Sequence, residues 1–251
     1  MAKTVVIDCF PESVIRYRHG YAVVAIDVVR ATTTAVTAVA AGRRCFVVPT
    51  AEAAFKLGAR LDNPLLLGEQ GGIMPPGFDI NNSPAAVAAR DDIHRPAILL
   101  SSSGTRLCDQ ASQCDAAFVA CLRNYRALAG HLAGKFENIA VIGAGTKGEF
   151  REEDEMCCAW LADSLGALGY RANDRATWRA IERWRGAQAH DWIGGKSAAY
   201  LRRSGQIEDL DFILGHVDDL QAAFALQDGE VILATAPVPK AVSGEELENV
   251  A

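Results

Sequence analysis

Histidine is scarce in this sequence. Its five copies, at 19, 94, 131, 190 and 216, form no HExxH pair, and with the cysteines they give no spacing that would hold zinc. A divalent metal here would be a hard ion held by oxygens. The seven cysteines are odd in number and scattered, with no CxxC pair. Free thiols in a reducing cytoplasm are the simplest account of that pattern. No run approaches eighteen uninterrupted apolar residues, and MAKTVVIDCF lacks a basic region followed by a long apolar core. Neither a membrane span nor a signal peptide is expected, and the protein is expected to be cytoplasmic. Basic residues are also in deficit, with 25 Lys and Arg against 31 Asp and Glu for a net charge of -6. A general nucleic-acid binder would carry a basic face. Small anionic ligands stay possible, because a local arginine cluster can outweigh the global sign.

What is present is a globular composition, half hydrophobic and 22% charged over 251 residues. Short runs rich in Val, Ile and Leu recur at Thr4–Asp8, Ala22–Asp27, Cys45–Val48, Leu65–Leu67, Ala97–Ser101, Ala116–Ala120, Ile139–Gly143 and Val231–Thr235. They read as strands, several buried on both faces. Ala-rich helical stretches alternate with them: Ala31–Ala41 with Gly42 as C-cap, Ala51–Arg60, Ser83–Arg90, Arg123–Leu132 and Glu152–Leu168. Residues 171–229 read as mainly helical. The pattern predicts an α/β fold, layered α/β/α with a mixed, largely parallel sheet. Residues 1–239 are expected to form one domain, two lobes dividing near 125–140 being an open arrangement, and 240–251 a flexible tail.

Two strand-to-helix turns suit anions. VVAIDVVRATTTAV (23–36) ends a buried strand at Asp27 and places Arg30, Thr32, Thr33 and Thr34 where a helix begins. Ligands of open α/β sheets bind beyond strand carboxyl ends, next to helix N-termini whose N–H groups favour anions. An acid, a guanidinium and hydroxyls there suit phosphate plus a metal. The alternative is a capped helix with Arg30 on the surface. LLSSSGTRL (99–107) likewise ends an apolar run and offers Ser103, Gly104 and Thr105. Glycine lets backbone approach a ligand, and successive N–H groups form an anion-binding concavity.

A third turn, IAVIGAGTKGEF (139–150), spells GxGxxG with Gly143, Gly145 and Gly148. A nicotinamide site also needs a second strand ending in an acid roughly 20 residues beyond, and none is evident in the sequence. In the helix that follows, the acids 152–155 favour the positive helix end; Asp154 is expected to point inward and most of the others to be solvated. Gly195-Lys196-Ser197 resembles the end of a P-loop, but His190 stands where the loop needs glycine. No Cys is followed six positions later by Arg, Asp27 has Val29 rather than Asp two residues on, and no GxSxG occurs.

Residues 68–84, GEQGGIMPPGFDINNSP, put four glycines and three prolines in seventeen residues around Glu69, Asp79, Asn81, Asn82 and Ser83. A spacer would not need Ile73, Met74 and Phe78. The segment is either a well-ordered surface loop or a shaped loop that holds polar groups in place.

Taken in order, VVAIDVVRATTTAVTAVAAG, LGEQGGIMPPGFDINNSP, LSSSGT, VACLRNYRALA and GTKGEFREEDEMCCA resemble the 2-phosphosulfolactate phosphatase family, with a fainter echo in EDLDFILGHVD. Ser103 stands where that family usually has Asn. The resemblance implies magnesium-dependent release of phosphate from 2-phospho-3-sulfolactate on the route to coenzyme M. On it, the loop holds Glu69 and Asp79 against Asp27, and Mg2+ binds among Asp27, Glu69, Asp79 and Asp154. Asp27, Arg30 and Glu69 would be catalytic, with base and ligand undivided between Asp27 and Glu69. Thr32, Thr33, Asn82, Ser83, Ser103, Gly104, Thr105 and Arg123 would bind substrate, with Arg106, Arg123 or Lys147 for its second anion. For Asn82 and Ser83, capping the next helix with Pro84 at its first position is an equal reading. A homodimer is the default for an enzyme of this size. Rival readings are a non-catalytic anion-binding or regulatory protein and an oxidoreductase using Gly143–Gly148.

Overall fold

The structure, a computed structural model, describes residues 2–145 and 148–234. The chain runs β1 (Thr4–Cys9), a 3-10 helix (Pro11–Tyr17), β2 (Ala22–Ile26), α1 (Ala31–Ala40), β3 (Cys45–Val48), α2 (Ala51–Gly58) and β4 (Leu65–Gly68). Next come α3 (Pro84–Ala88), β5 (Ala97–Leu100), α4 (Gly104–Ala111), β6 (Ala116–Ala120), α5 (Tyr125–Leu132), β7 (Asn138–Gly143) and α6 (Glu152–Ala167). The last are β8 (Arg171–Ala172), α7 (Arg175–Trp184), α8 (Lys196–Arg203), α9 (Ile207–Gly215), β9 (Phe224–Gln227) and β10 (Glu230–Leu233). The tail expected at 240–251 lies outside the described residues, as does Lys147.

Among the described residues, ten strands form one mixed sheet in the order β4-β5-β3-β10-β9-β6-β2-β7-β1-β8. Two parallel units, β4-β5-β3 and β6-β2-β7-β1-β8, are joined by the β9–β10 hairpin, which pairs antiparallel with β3 on one side and β6 on the other. Alternation along the strands divides the core. Val23 and Ala25 of β2, Ala140 and Ile142 of β7, and Leu99 of β5 share one face with α1 and α4. On the opposite face, Val24 and Ile26 pack with α5 and α6, while Ile98 and Leu100 form a separate cluster with Ala54 and Phe78. Helix α1 is buried from Ala31 through Ala38, so its ATTTAVTAVA sequence has no polar face to give to water. Residues 125–140 carry α5 and the start of β7, a strand in the sheet interior between β2 and β1.

The eight expected strands and five expected helices are present within two residues at each end, counting only described residues. Residues 171–229 are not purely helical, since they also hold β8 and β9. The signal for β9 lies in Asp228-Gly229: both residues have positive φ (51° and 78°), the backbone of a two-residue hairpin turn. Among the described residues, no helix is long and apolar enough to cross a membrane. All seven cysteines are free, and burial pushes the Cys9 and Cys45 thiols up to about 12.

Candidate active site

An open cleft of about 820 Å3 lies beyond the carboxyl ends of four strands. Asp27 follows β2, Glu69 follows β4, Ser102 and Ser103 follow β5, and Ala144 follows β7; all line it. Residues of α6 and α8 form its other wall, with Glu149, Arg151, Asp154, Lys196, Tyr200 and Arg203 facing the space.

Asp27 is 7% exposed. Its backbone is pinned by Thr32, whose hydroxyl and N–H both donate to the Asp27 carbonyl at 2.9 and 3.0 Å. Thr33 repeats the device by donating to the Val28 carbonyl at 2.8 Å. Both threonines therefore shape the turn, and neither lines the cleft. Burial and the charge of Glu69 push the Asp27 carboxyl up to about 7, with Glu153 adding to the push and the Ala31 N–H and Arg30 opposing it. Asp154 points inward, 3% exposed, and accepts from the Val28 N–H at 2.8 Å. Burial, then Glu153, then Asp27 hold its carboxyl well above the usual range. Glu153, expected in solvent, is 1% exposed instead. Ser197 donates to it, so α8 covers this acid.

Gly104 opens α4 directly against Asp27. A Cβ on it would lie 2.1 Å from Asp27 Oδ2 and 2.6 Å from the Ala31 Cβ. Only glycine lets the helix start approach the carboxylate so closely. Thr105 differs from the expected anion donor: its N–H goes to Ser101 Oγ at 3.0 Å and its hydroxyl to the Ser101 carbonyl at 2.9 Å. It locks the turn, whereas Ser103 lines the cleft.

Glu69 holds two loops together. Its oxygens accept from the Ser102 N–H at 2.7 Å, the Ser102 hydroxyl at 2.9 Å and the Gly72 N–H at 2.6 Å. Asp79, expected beside Asp27, lies elsewhere. It is exposed, accepts from the Leu66 N–H at 2.9 Å and pairs with Arg95 at 3.1 Å, along the outer edge of β4. Its loop covers the N–H groups of an edge strand, a protection that sheet edges need. Ser83 caps α3, accepting from the Ala86 N–H at 3.0 Å, and donates to Asp209 at 2.6 Å. Asn82 reaches the cleft while accepting from the Thr34 hydroxyl at 2.7 Å.

Arg30 is 4% exposed and reaches the cleft, its guanidinium bound to Asp209 and Gln206. Asp209 belongs to the EDLDFILGHVD segment, so the structure gives that stretch a task. Arg123 is not in the cleft. It holds Asp219 with two hydrogen bonds, at 3.0 and 2.6 Å, and Thr37 at 2.9 Å. Replacing Arg123 by Ala is expected to cost roughly 2 kcal/mol, a fall of about 4–8 °C in melting temperature, with KM unchanged. Thermal unfolding and steady-state kinetics check this together. Arg106 is exposed and borders a smaller neighbouring pocket of about 270 Å3, with Phe10 and Gly145.

The GxGxxG turn has internal reasons for its glycines. A Cβ on Gly143 would meet Phe150 at 2.3 Å, and one on Gly145 would meet Phe10 at 2.5 Å. The strand after α6 is only Arg171–Ala172, and the nearby Asp174 caps α7 by accepting from the Thr177 N–H. The close approaches that a dinucleotide would need are taken by the protein's own rings.

Sequence reasoning missed the α8 wall. Gly195, which His190 excludes from a P-loop, is needed for another approach: its Cβ would lie 2.9 Å from Glu152 Oε2. Lys196, Ala199, Tyr200 and Arg203 then line the cleft at helical spacings of three, four and seven. Tyr200 donates to the Gly72 carbonyl at 2.8 Å and ties this wall to the 68–84 loop. That periodicity was readable in KSAAYLRR.

The model of the family described as 2-phosphosulpholactate phosphatase matches residues 9–228. The chain belongs to that family. A Deinococcus radiodurans protein named "Probable 2-phosphosulfolactate phosphatase" is 33% identical over 234 residues, covering 92% of each chain. A relative of the same name from Parasynechococcus marenigrum is 31% identical over 220 residues, covering 84% of this chain and 87% of its own. In this member Asp27 and Glu69 line one cleft, and Gly104 packs against the Asp27 carboxylate.

The residues present fit a hard cation in chemistry. Among the described residues, no group of three or more Asp, Glu, His or Cys side chains is arranged to hold a metal alone. Magnesium asks for less, since it keeps several waters and binds through one or two carboxylates plus substrate phosphate. Asp27 and Asp154 are two buried carboxylates, and the charge of Asp27 raises the proton affinity of Asp154. A cation would relieve that repulsion.

Proposed function

We propose that this chain is a magnesium-dependent phosphatase of a small 2-phospho acid, converting 2-phospho-3-sulfolactate to 3-sulfolactate and phosphate. The reading is carried by one observation. Buried Asp27, with the backbone of Gly104 pressed on its carboxylate, faces a cleft whose far wall bears Arg151, Lys196 and Arg203. Buried acids and several cations converging on one cleft match a metal-bound phosphoryl group joined to a further anion.

Asp27 and Asp154 are the residues that would hold magnesium; Glu69 is committed to three donors and Asp79 lies outside the cleft. When bound, the ion supplies charge neutralisation at the phosphoryl oxygens and a more acidic water. Arg30, fixed by Asp209 and Gln206, offers a positive charge that needs no reorganisation as negative charge builds on those oxygens. With Glu69 committed to three donors, Asp27, held at the cleft by the start of α4, is the better placed of the two to take a proton from the attacking water. Glu69 then serves by holding the Ser102 turn and the Gly72 loop in register.

A phosphate-release screen over sulfonated, carboxylated and unsubstituted phosphoesters, with and without magnesium, tests the reading. Release from 2-phospho-3-sulfolactate is expected only with magnesium. Binding of such ligands with no release under any metal would show an anion-binding protein instead.

A further inference from the structure

The cleft contains more positive charge than a phosphoryl group needs, and part of it is occupied by the protein's own carboxylate. Lys196 Nζ lies 2.6 Å from both Glu149 oxygens, and Arg151 reaches the same carboxylate at 3.5 Å. All three side chains line the cleft that holds Asp27. Arg30, held by buried Asp209, is the cation assigned above to the phosphoryl oxygens, which leaves the second anion to other groups.

Resting on the phosphatase reading above, we propose that Lys196 and Arg151 bind the acid end of the substrate, its carboxylate or sulfonate, in the place taken by the Glu149 carboxylate. Three observations support the exchange. First, a carboxylate is already seated there with both oxygens on one ammonium, so the pair accepts an anion of that shape. Second, the Lys196–Glu149 pair is exposed, 70% and 48%, and pairs of that kind contribute little to stability. Displacing Glu149 into water therefore costs little, while the incoming anion also gains from being tethered to the phosphoryl group. Third, α8 is anchored at this wall: Tyr200 donates to the Gly72 carbonyl and Ser197 to Glu153. Lys196 is thereby set against the same acid cluster that faces the phosphoryl end. In this arrangement Glu149 competes with the ligand's acid end for Lys196 and Arg151.

The test uses the intact chain and 3-sulfolactate, which carries both acid groups and no phosphate, so that binding is read without turnover. By titration calorimetry the wild type is expected to bind it. Lys196→Ala should weaken binding about tenfold or more, and Glu149→Gln should strengthen it several-fold by removing the competitor. In kinetics, Lys196→Ala should raise KM for 2-phospho-3-sulfolactate by a larger factor than KM for p-nitrophenyl phosphate, which lacks a second anion. Equal affinities in the three proteins, or no binding by the wild type, overturn the inference. Binding that responds to both substitutions without phosphate release from any ester upholds this anion site and overturns the phosphatase reading alone.

Discussion

Asp27→Asn is expected to lower magnesium-dependent phosphate release by about 100-fold to 10,000-fold in a protein that remains folded. The range is what loss of a positioned proton acceptor removes from a rate, before any loss of metal affinity is added. Both duties proposed for this carboxylate, ligand and base, disappear together in the amide. Stability should move the other way, and its sign follows from the titration. Burial and Glu69 raise the Asp27 carboxyl from 3.8 to about 7, so the folded state holds this proton more tightly than the unfolded chain. Below about pH 4 both states are protonated and the group has no effect. As pH rises towards 7 the folded protein loses stability, by about 4 kcal/mol if the group is taken alone. In the absence of metal, the Asp27→Asn protein should therefore melt higher than the wild type at about pH 8 and no higher at about pH 4. Melting curves at the two values, with phosphate release measured in parallel, check both halves. An amide variant that turned over at the wild-type rate would remove Asp27 from the chemistry.

Gly104→Ala should be nearly as damaging, although it adds one methyl group to a helix. Helix propensity alone favours Ala over Gly by about 1 kcal/mol. Here the new Cβ would lie 2.1 Å from Asp27 Oδ2, 2.7 Å from its Cγ and 2.6 Å from the Ala31 Cβ. Ala31, at the start of buried α1, has no free space to retreat into, and Asp27 can yield only by swinging its carboxylate towards the cleft. Overpacking of this kind costs about 1–3 kcal/mol, which outweighs the propensity gain. A displacement of about 1 Å at the carboxylate is enough to reduce turnover by a factor near 100. Gly130→Ala is the control. It lies in α5 with nothing within 4 Å of the added Cβ, so the same substitution there should raise stability by roughly 0.5–1 kcal/mol and leave activity unchanged. Thermal melts and phosphate release on the two variants separate the local clash from a general effect of removing glycine.

Much of this arrangement was legible in the sequence, for definable reasons. Strands buried on both faces read as continuous apolar runs, and Asp27 stands out as the first charge after one of them. Gly104 was visible as a glycine at a strand-to-helix turn, although nothing local revealed that it faces Asp27 from another unit of the sheet. Asp79 looked like a ligand because an acid in a Gly- and Pro-rich loop resembles one; its actual task is set by β4 being an edge strand, a fact of topology. Asp209 and Glu153 could not be singled out among many acids, because what distinguishes them is burial against Arg30 and Ser197. The α8 face was a different kind of miss. Its spacing was present, but Gly195-Lys196-Ser197 resembles a phosphate loop closely enough to hide the side of a helix.

The position of the hairpin has a consequence for how the molecule is assembled. β9 and β10 are the latest strands among the described residues, yet they lie at the centre of the sheet between β3 and β6. During synthesis, both parallel units leave the ribosome with an open inner border before the residues that join them exist. Until residues 224–233 emerge, those borders are templates for a neighbouring chain as much as for this one. The nascent protein therefore has an interval in which chaperone protection matters, and it closes when this hairpin is inserted like a keystone.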